Sequence, residues 1–241
     1  MEYKDLGGGS INDSISIYNC DCMDLLKQTP DNYYSLAIVD PPYGIGYDGN
    51  TTVKGKSGKA NTFSNKQHHE KKDWDNKRPS LEYFNELQRV SKNQIIWGGN
   101  YFADLLPAKK GWVYWDKKIT NANNTNYSDG ELAWTSFSCV LRKFTYDWIG
   151  FGYLNNPQRE KKIHPTQKPV QLYIFLLQNY AQEGDKILDT HLGSGSIAIA
   201  IDNVNEIEKM NLTLTACELD PDYFKAAMKR IEQQTAQQTI F

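Results

Sequence analysis

The residues best placed to do chemistry are Asp40, Pro41, Pro42 and Tyr43, which follow the apolar run Leu36 to Val39. That run reads as a buried strand. Two successive prolines stop the strand and remove two backbone donors. Their fixed φ also holds the Pro41 carbonyl rigid beside the Asp40 carboxylate, so two acceptors stand together with no donor competing. Such a pair suits an exocyclic amine on a nucleobase, a poor nucleophile because its lone pair is delocalised into the ring. Accepting its N–H bonds draws the nitrogen towards tetrahedral geometry, and pre-organised acceptors stabilise the charge that develops. Tyr43 adds a flat face on which an extruded base could stack. Taken alone, the four residues also fit a strand-ending turn with an aspartate cap.

A second constellation lies near the other end of the chain. The segment Lys186 to Ala200, KILDTHLGSGSIAIA, reads as strand, glycine-rich turn and helix. Gly193 and Gly195 let the backbone turn tightly and approach a ligand. The next strand ends on Glu218, 23 residues beyond Gly195, where a carboxylate can accept both ribose hydroxyls of a nucleoside. The pattern Gly193-Ser194-Gly195-Ser196-Ile197-Ala198 also satisfies the dinucleotide fingerprint formally. Asp189 argues the other way: a carboxylate before the turn repels a pyrophosphate and suits a ligand that carries an ammonium group. S-adenosylmethionine is therefore favoured over a dinucleotide, which the loop alone leaves open.

With both motifs in one chain, the sequence resembles the S-adenosylmethionine-dependent amino-DNA methyltransferases of the adenine-N6 type, over Ile15 to about Glu232. D-P-P-Y precedes the glycine loop, which is the circularly permuted order of that family's beta group. The resemblance implies an α/β, Rossmann-like methyltransferase fold, with a mixed seven-stranded sheet flanked by helices. It implies DNA as partner, base flipping, and catalytic roles for Asp40, Pro41, Pro42 and Tyr43. In Asn19-Cys20-Asp21-Cys22, the positions Asp21 and Cys22 match those that contact the adenine of the cofactor. His164-Pro165-Thr166-Gln167-Lys168-Pro169 matches a signature in which Thr166 and Lys168 bind the methionine carboxylate; a hydroxyl and an ammonium at a helix N-terminus make an anion site. Asp189, His191, Gly193, Ser194, Gly195 and Glu218 complete the implied cofactor set. Two departures stand in the loop: Thr190 and His191 replace the family's proline and phenylalanine, and the His191 ring could pack in the phenylalanine's place. The N4-cytosine subgroup usually carries serine at the position of Asp40, and it is the nearest alternative. A non-catalytic DNA-binding relative and a nicotinamide oxidoreductase are the others.

The elements that must position these residues alternate between strand and helix, which argues a sheet with crossover helices. Strands are expected at Ile15 to Tyr18, Ser35 to Val39, Asn93 to Trp97, Gly111 to Trp115, Glu131 to Phe137, Lys186 to Asp189 and Leu212 to Glu218. Helices are expected around Cys22 to Gln28, after a capping Ser80, from Pro169 to Tyr180, from Ser196 to about Ile207, and from Pro221 behind a capping Asp220. Gly7 to Ser10 reads as a flexible linker within an N-terminal tail, 1–14, ahead of one methyltransferase domain, 15–241. The segment 44–79 lacks periodicity, and from Lys54 to Arg78 it holds eight basic residues against three acidic, +5 in a chain of net charge −2. It reads either as a solvated loop or as a mobile arm for a phosphate backbone. The segment 117–162 is irregular, aromatic and basic, and is the expected target-recognition region; Tyr127, Tyr146, Trp148, Phe151 and Tyr153 could stack on bases, while Trp134 and Phe137 read mainly as core.

At 241 residues, with 39% hydrophobic and 12% aromatic content, the chain can bury a substantial core. No stretch approaches a membrane span and the N-terminus lacks the apolar region of a secretory signal. Cys20, Cys22, Cys139 and Cys217 are spaced for neither zinc nor a disulfide framework, so free thiols in a cytoplasmic protein without a metal are expected, and the family resemblance implies a bacterial or phage-encoded protein. A second copy of the chain, as a homodimer, is the further partner considered.

Overall fold

The computed structural model describes residues 3–46, 74–117, 128–148 and 163–236. Fifteen elements form, in order β1 (Gly7–Asn12), β2 (Ile15–Asn19), α1 (Cys22–Gln28), β3 (Tyr34–Val39), α2 (Leu81–Val90), β4 (Ser91–Trp97), a 3-10 turn (Gly99–Phe102), β5 (Trp112–Asp116), β6 (Gly130–Thr135), β7 (Arg142–Thr145), α3 (Val170–Tyr180), β8 (Lys186–Asp189), α4 (Ser196–Glu208), β9 (Thr213–Cys217) and α5 (Pro221–Ala236).

All nine described strands join one sheet in the order β1-β2-β9-β8-β3-β4-β6-β5-β7. β2, β9, β8, β3 and β4 run parallel, and β6 runs antiparallel to both β4 and β5. The expected mixed seven-stranded sheet is the stretch from β2 to β5. A short strand extends it at each edge. At one edge the GGGS segment is not a linker but part of β1, paired antiparallel with β2 from Gly7↔Asn19 to Asn12↔Ile15. At the other, β7 pairs parallel with β5.

Both faces of the sheet are covered. In β3 successive side chains alternate between two cores, Leu36 and Ile38 joining one, Ala37 and Val39 the other. The first core takes in Leu172, Leu176, Ile197, Ile201 and Ile231 of α3, α4 and α5; the second takes in Leu25, Phe84 and Leu87 of α1 and α2. A strand buried on both faces must be apolar throughout, and Leu36 to Val39 is. Ser80 and Asp220 act as the expected caps: Ser80 Oγ accepts from the Tyr83 amide, and Asp220 Oδ1 from those of Asp222 and Tyr223. Trp134 is buried, donating its indole N–H to the Pro107 carbonyl at 2.9 Å, and Phe137 packs on the first core.

Among the described residues no helix is long and apolar enough to cross a membrane. The segment 44–79 is described only in 44–46 and 74–79, and 117–162 only at Lys117 and 128–148. The basic run Lys54 to Lys72, and Tyr127, Phe151 and Tyr153, therefore lie outside the described residues.

Candidate active site

Asp40 follows directly on β3, so it stands at the carboxyl end of a central parallel strand, where open α/β sheets bind ligands. Asp189 ends β8 and Glu218 follows β9, at the same end. Because β6 is antiparallel, its first residues, Gly130 and Glu131, also lie at that end. The two motifs that are remote in sequence thus meet.

The contact is an ion pair. Lys168, only 3% exposed, donates from Nζ to Asp40 Oδ2, although 128 residues separate them. Tyr43 donates its hydroxyl to Asp40 Oδ1 at 2.7 Å. Lys168 Nζ also lies 3.2 Å from Glu131 Oε2, and Lys117 pairs with Glu131 Oε1 at 2.5 Å. The ammonium sits 5.4 Å from the Trp97 ring and 5.8 Å from the Tyr43 ring, both within cation–π range. Lys168 was expected to present its charge to a methionine carboxylate; here both Asp40 and Glu131 engage it.

The electrostatics follow from burial and partners. Burial pushes the Asp40 carboxyl up from its usual value, more than Lys168 pulls it down. For Glu131 burial acts in the same sense, but Lys168 and Lys117 together win and hold it down to about 2. Burial would deprotonate Lys168; Asp40 and Glu131 outweigh it and raise its pKa. The Tyr43 hydroxyl is pushed well above 10 by burial and by Asp40, so it stays a donor. Its ring stacks on Tyr101 at 4.8 Å and 13°, so one of its faces is covered by that side chain rather than open. Gly98 approaches the other parts of the ring so closely that a Cβ there would fall 2.2 Å from a Tyr43 carbon.

The cofactor half is equally well ordered. Asp189 is buried and accepts from the His191 amide at 2.9 Å. Burial, with Asp40 and Glu218 adding to it, pushes Asp189 up to about 8. A carboxylate so placed fits a ligand that brings its own cation. Glu218 accepts from the Gly193 amide at 2.8 Å and from the Asp220 amide at 3.0 Å, leaving a lone pair on each oxygen for a ribose hydroxyl. The turn is roomy at Gly193, where a Cβ would meet nothing closer than His164 at 3.9 Å. Gly195, at φ 76°, has no such room: its Cβ would lie 2.8 Å from Ile231.

Asn19 Nδ2 donates to the Glu218 and Leu219 carbonyls, which brings Asp21 and Cys22 to this loop. Asp21 caps α1 through the Met23 amide, and burial pushes the Cys22 thiol up to about 12. The His164 to Pro169 segment docks on the glycine turn: Ser196 Oγ donates to the Lys168 carbonyl at 2.7 Å, and Arg230 donates to the Ser194 carbonyl at 2.7 Å. Thr166 Oγ1 lies 3.1 Å from His164 Nδ1. The His191 ring lies edge-on to Tyr83 at 5.6 Å, and a chain runs from its Nδ1 through Thr190 Oγ1 to the Tyr83 hydroxyl, which a phenylalanine could not make. Burial lowers its pKa to about 4, so it is neutral near pH 7.

Glu131 and Lys117 were not among the expected site residues. The signal was present in ELAWTSF, an acid directly ahead of the apolar Leu132 to Trp134, but it acquires meaning only with the direction of β6.

Comparison with known proteins agrees with this architecture. The family model described as DNA methylase matches residues 105–229, more than half of the chain. Curated relatives include the type II methyltransferase M.HpaI of Haemophilus parainfluenzae, 23% identical over 87% of this chain and 71% of the relative. Another is the type II methyltransferase M2.MboI of Moraxella bovis, 25% identical over 78% of each. Among solved structures, the chain is similar to the M1.HpyAVI–SAM complex, with TM-score 0.53, 18% identity and coverage of 90% of this chain and 99% of the other. It is also similar to the PvuII cytosine-N4-specific DNA methyltransferase, with TM-score 0.57, 13% identity and coverage of 98% and 96%. At these identities the structural likeness speaks for the fold.

Proposed function

The chain belongs to the DNA methylase family, and from that premise we propose that it moves a methyl group from S-adenosylmethionine to N6 of an adenine extruded from DNA. The observation that carries this reading is the meeting of Asp40-Pro41-Pro42-Tyr43 with the cofactor half through Lys168.

Asp40 and the Pro41 carbonyl accept the two N–H bonds of the base and stabilise the positive charge that develops on the nitrogen. The Tyr43 hydroxyl steadies Asp40, and its ring lines the base site. Asp189 faces the ammonium of the cofactor, Glu218 its ribose, Asp21 and Cys22 its adenine, and Thr166 its carboxylate together with Lys168. Gly193, Ser194 and Gly195 would supply the backbone turn that holds it, together with His191. When bound, the cofactor supplies an electrophilic methyl on a sulfonium. The basic segment 44–79 and the segment 117–162 are assigned to the DNA backbone and to target recognition on their charge and aromatic content. A bacterial or phage origin and a cytoplasmic location belong to the same proposal.

Aspartate rather than serine at position 40 favours adenine over N4 of cytosine. The test is to methylate DNA with the purified protein, digest it and identify the modified nucleoside by mass spectrometry. N6-methyladenine is expected, and N4-methylcytosine would transfer the assignment. Asp40→Ala should abolish transfer while calorimetry still shows cofactor binding; undiminished activity in that variant would sink the mechanism.

A further inference from the structure

A methyltransferase whose key acceptor is Asp40 faces a difficulty in this structure: both oxygens of Asp40 are already engaged, Oδ1 by Tyr43 and Oδ2 by Lys168. Each oxygen keeps a second lone pair for an amino group, but the paired ammonium holds the carboxylate's charge away from the base, so Asp40 accepts best when Lys168 draws back. Tyr43 is covalently close, three residues along the same turn, and its hydroxyl has Asp40 as its short-range acceptor. Lys168 has another place to go. Glu131 Oε2 lies 3.2 Å from its ammonium and is out of solvent. Lys168 Nζ also lies 3.3 Å from the Tyr43 hydroxyl, so its three N–H bonds are shared among Asp40, Tyr43 and Glu131.

We propose that Glu131 is a positioning residue that offers Lys168 a second seat, so that the ammonium can leave Asp40 when Asp40 accepts the amino group of the base. This rests on the reading of Asp40 given above. A small rotation suffices, because both carboxylates already lie within ion-pair range of one nitrogen. Lys117, on the other oxygen of Glu131, keeps the count balanced at two ammonium groups and two carboxylates. It also prevents Glu131 from holding Lys168 so strongly that the pair with Asp40 never forms. The fixed negative charge of Glu131, at about 2, is that of a permanent anion, whereas Asp40 is the carboxyl that burial raises. The titratable groups facing Asp40 are Lys168 and Tyr43 in contact, then Glu131, with Asp189 and Tyr173 also feeling its charge.

The test is Glu131→Gln, which keeps the shape and removes the charge, with Glu131→Asp as the conservative partner. Asp40 is then the one charged carboxylate of the protein that still pairs with Lys168. In Glu131→Gln the single-turnover methylation rate should fall on the order of tenfold, the size of effect contacting charged residues show on one another. The DNA KM should change less, and Glu131→Asp should recover part of the rate. The independent readout is the carboxyl signal of Asp40 in a carbon-13 NMR titration of the free protein. Its pKa should drop in Glu131→Gln, because one repelling anion is gone and Lys168 no longer divides its attention. An unchanged rate overturns the proposal, and so does a lost rate with an unmoved Asp40 titration, which marks a structural role. If Glu131→Gln does not fold, Glu131→Asp decides alone: wild-type rate and titration overturn it. Activity in Asp40→Ala would instead overturn the parent reading, whatever Glu131 does.

Discussion

Asp189 shows how much a single side chain can be asked to do. Its carboxyl, buried at the end of β8, is raised to about 8 against 3.8 for an ordinary aspartate. In the free protein it is protonated at pH 7, and the unfolded chain would release that proton near pH 4. Folding therefore becomes less favourable as pH rises from about 4 to about 8, through this group alone. A ligand that brings an ammonium to Asp189 reverses the balance, since the pair is stable only with the carboxyl ionised. Binding of S-adenosylmethionine should then release a fraction of a proton at pH 7, and affinity should rise with pH until about 8. Calorimetry in buffers of different ionisation enthalpy measures this directly; Asp189→Asn should bind more weakly and release nothing. Equal proton release by that variant would assign the proton elsewhere. Asp40, Asp189 and Glu218 were legible as acids at strand ends because each stands beside a turn that cannot continue the strand. Glu131 and Lys117 were not, since an acid at the start of a strand and a lysine after one ordinarily mark solvent.

At the scale of elements, turns carry the site and side-chain periodicity carries the scaffold. β3, β8 and β9 could be placed within a residue or two from their apolar runs, and α2 and α5 from their caps. β1 and β7 could not: GGGSIN offers almost no side chains to form a pattern, and RKFT has no alternation that separates strand from loop. The turns give sharper predictions. Gly98 follows β4 at φ 69°, and a Cβ there would strike the Tyr43 ring. Gly98→Ala should displace Tyr43 from Asp40 and cost roughly 1–3 kcal/mol of stability. Activity should fall by more than the folded fraction accounts for, with cofactor affinity little changed. Thermal melting and cofactor calorimetry on one preparation check all three, and an active Gly98→Ala would show that the Tyr43–Asp40 contact is dispensable.

At the scale of the whole molecule, strands from the two ends of the chain interleave. β2 lies beside β9, and β8 beside β3, so the parallel core closes only when the first and last thirds of the chain meet. That arrangement puts Asp40 against Lys168, and local pattern cannot reveal it; the permuted order of the two motifs could, through family resemblance. It also gives meaning to the first dozen residues. β1 covers the outer edge of β2, which would otherwise offer unpaired backbone groups to another chain. Ile11 packs on one core and Tyr3 and Leu6 on the other, with the Tyr3 hydroxyl within reach of those of Thr29 and Tyr34. Removing residues 1–12 should cost about 2–3 kcal/mol from these half-buried side chains, and with it roughly 5–10 °C of melting temperature. The site lies at the strand ends, and none of its side chains comes from this segment, so cofactor affinity at 20 °C should stay within about twofold of the intact chain, well under the tenfold that 1.4 kcal/mol represents. The truncated protein should self-associate more readily, as light scattering across a concentration series would show. A truncated chain that melts normally and stays dispersed would mean that β1 is an ornament on a sheet already complete at β2.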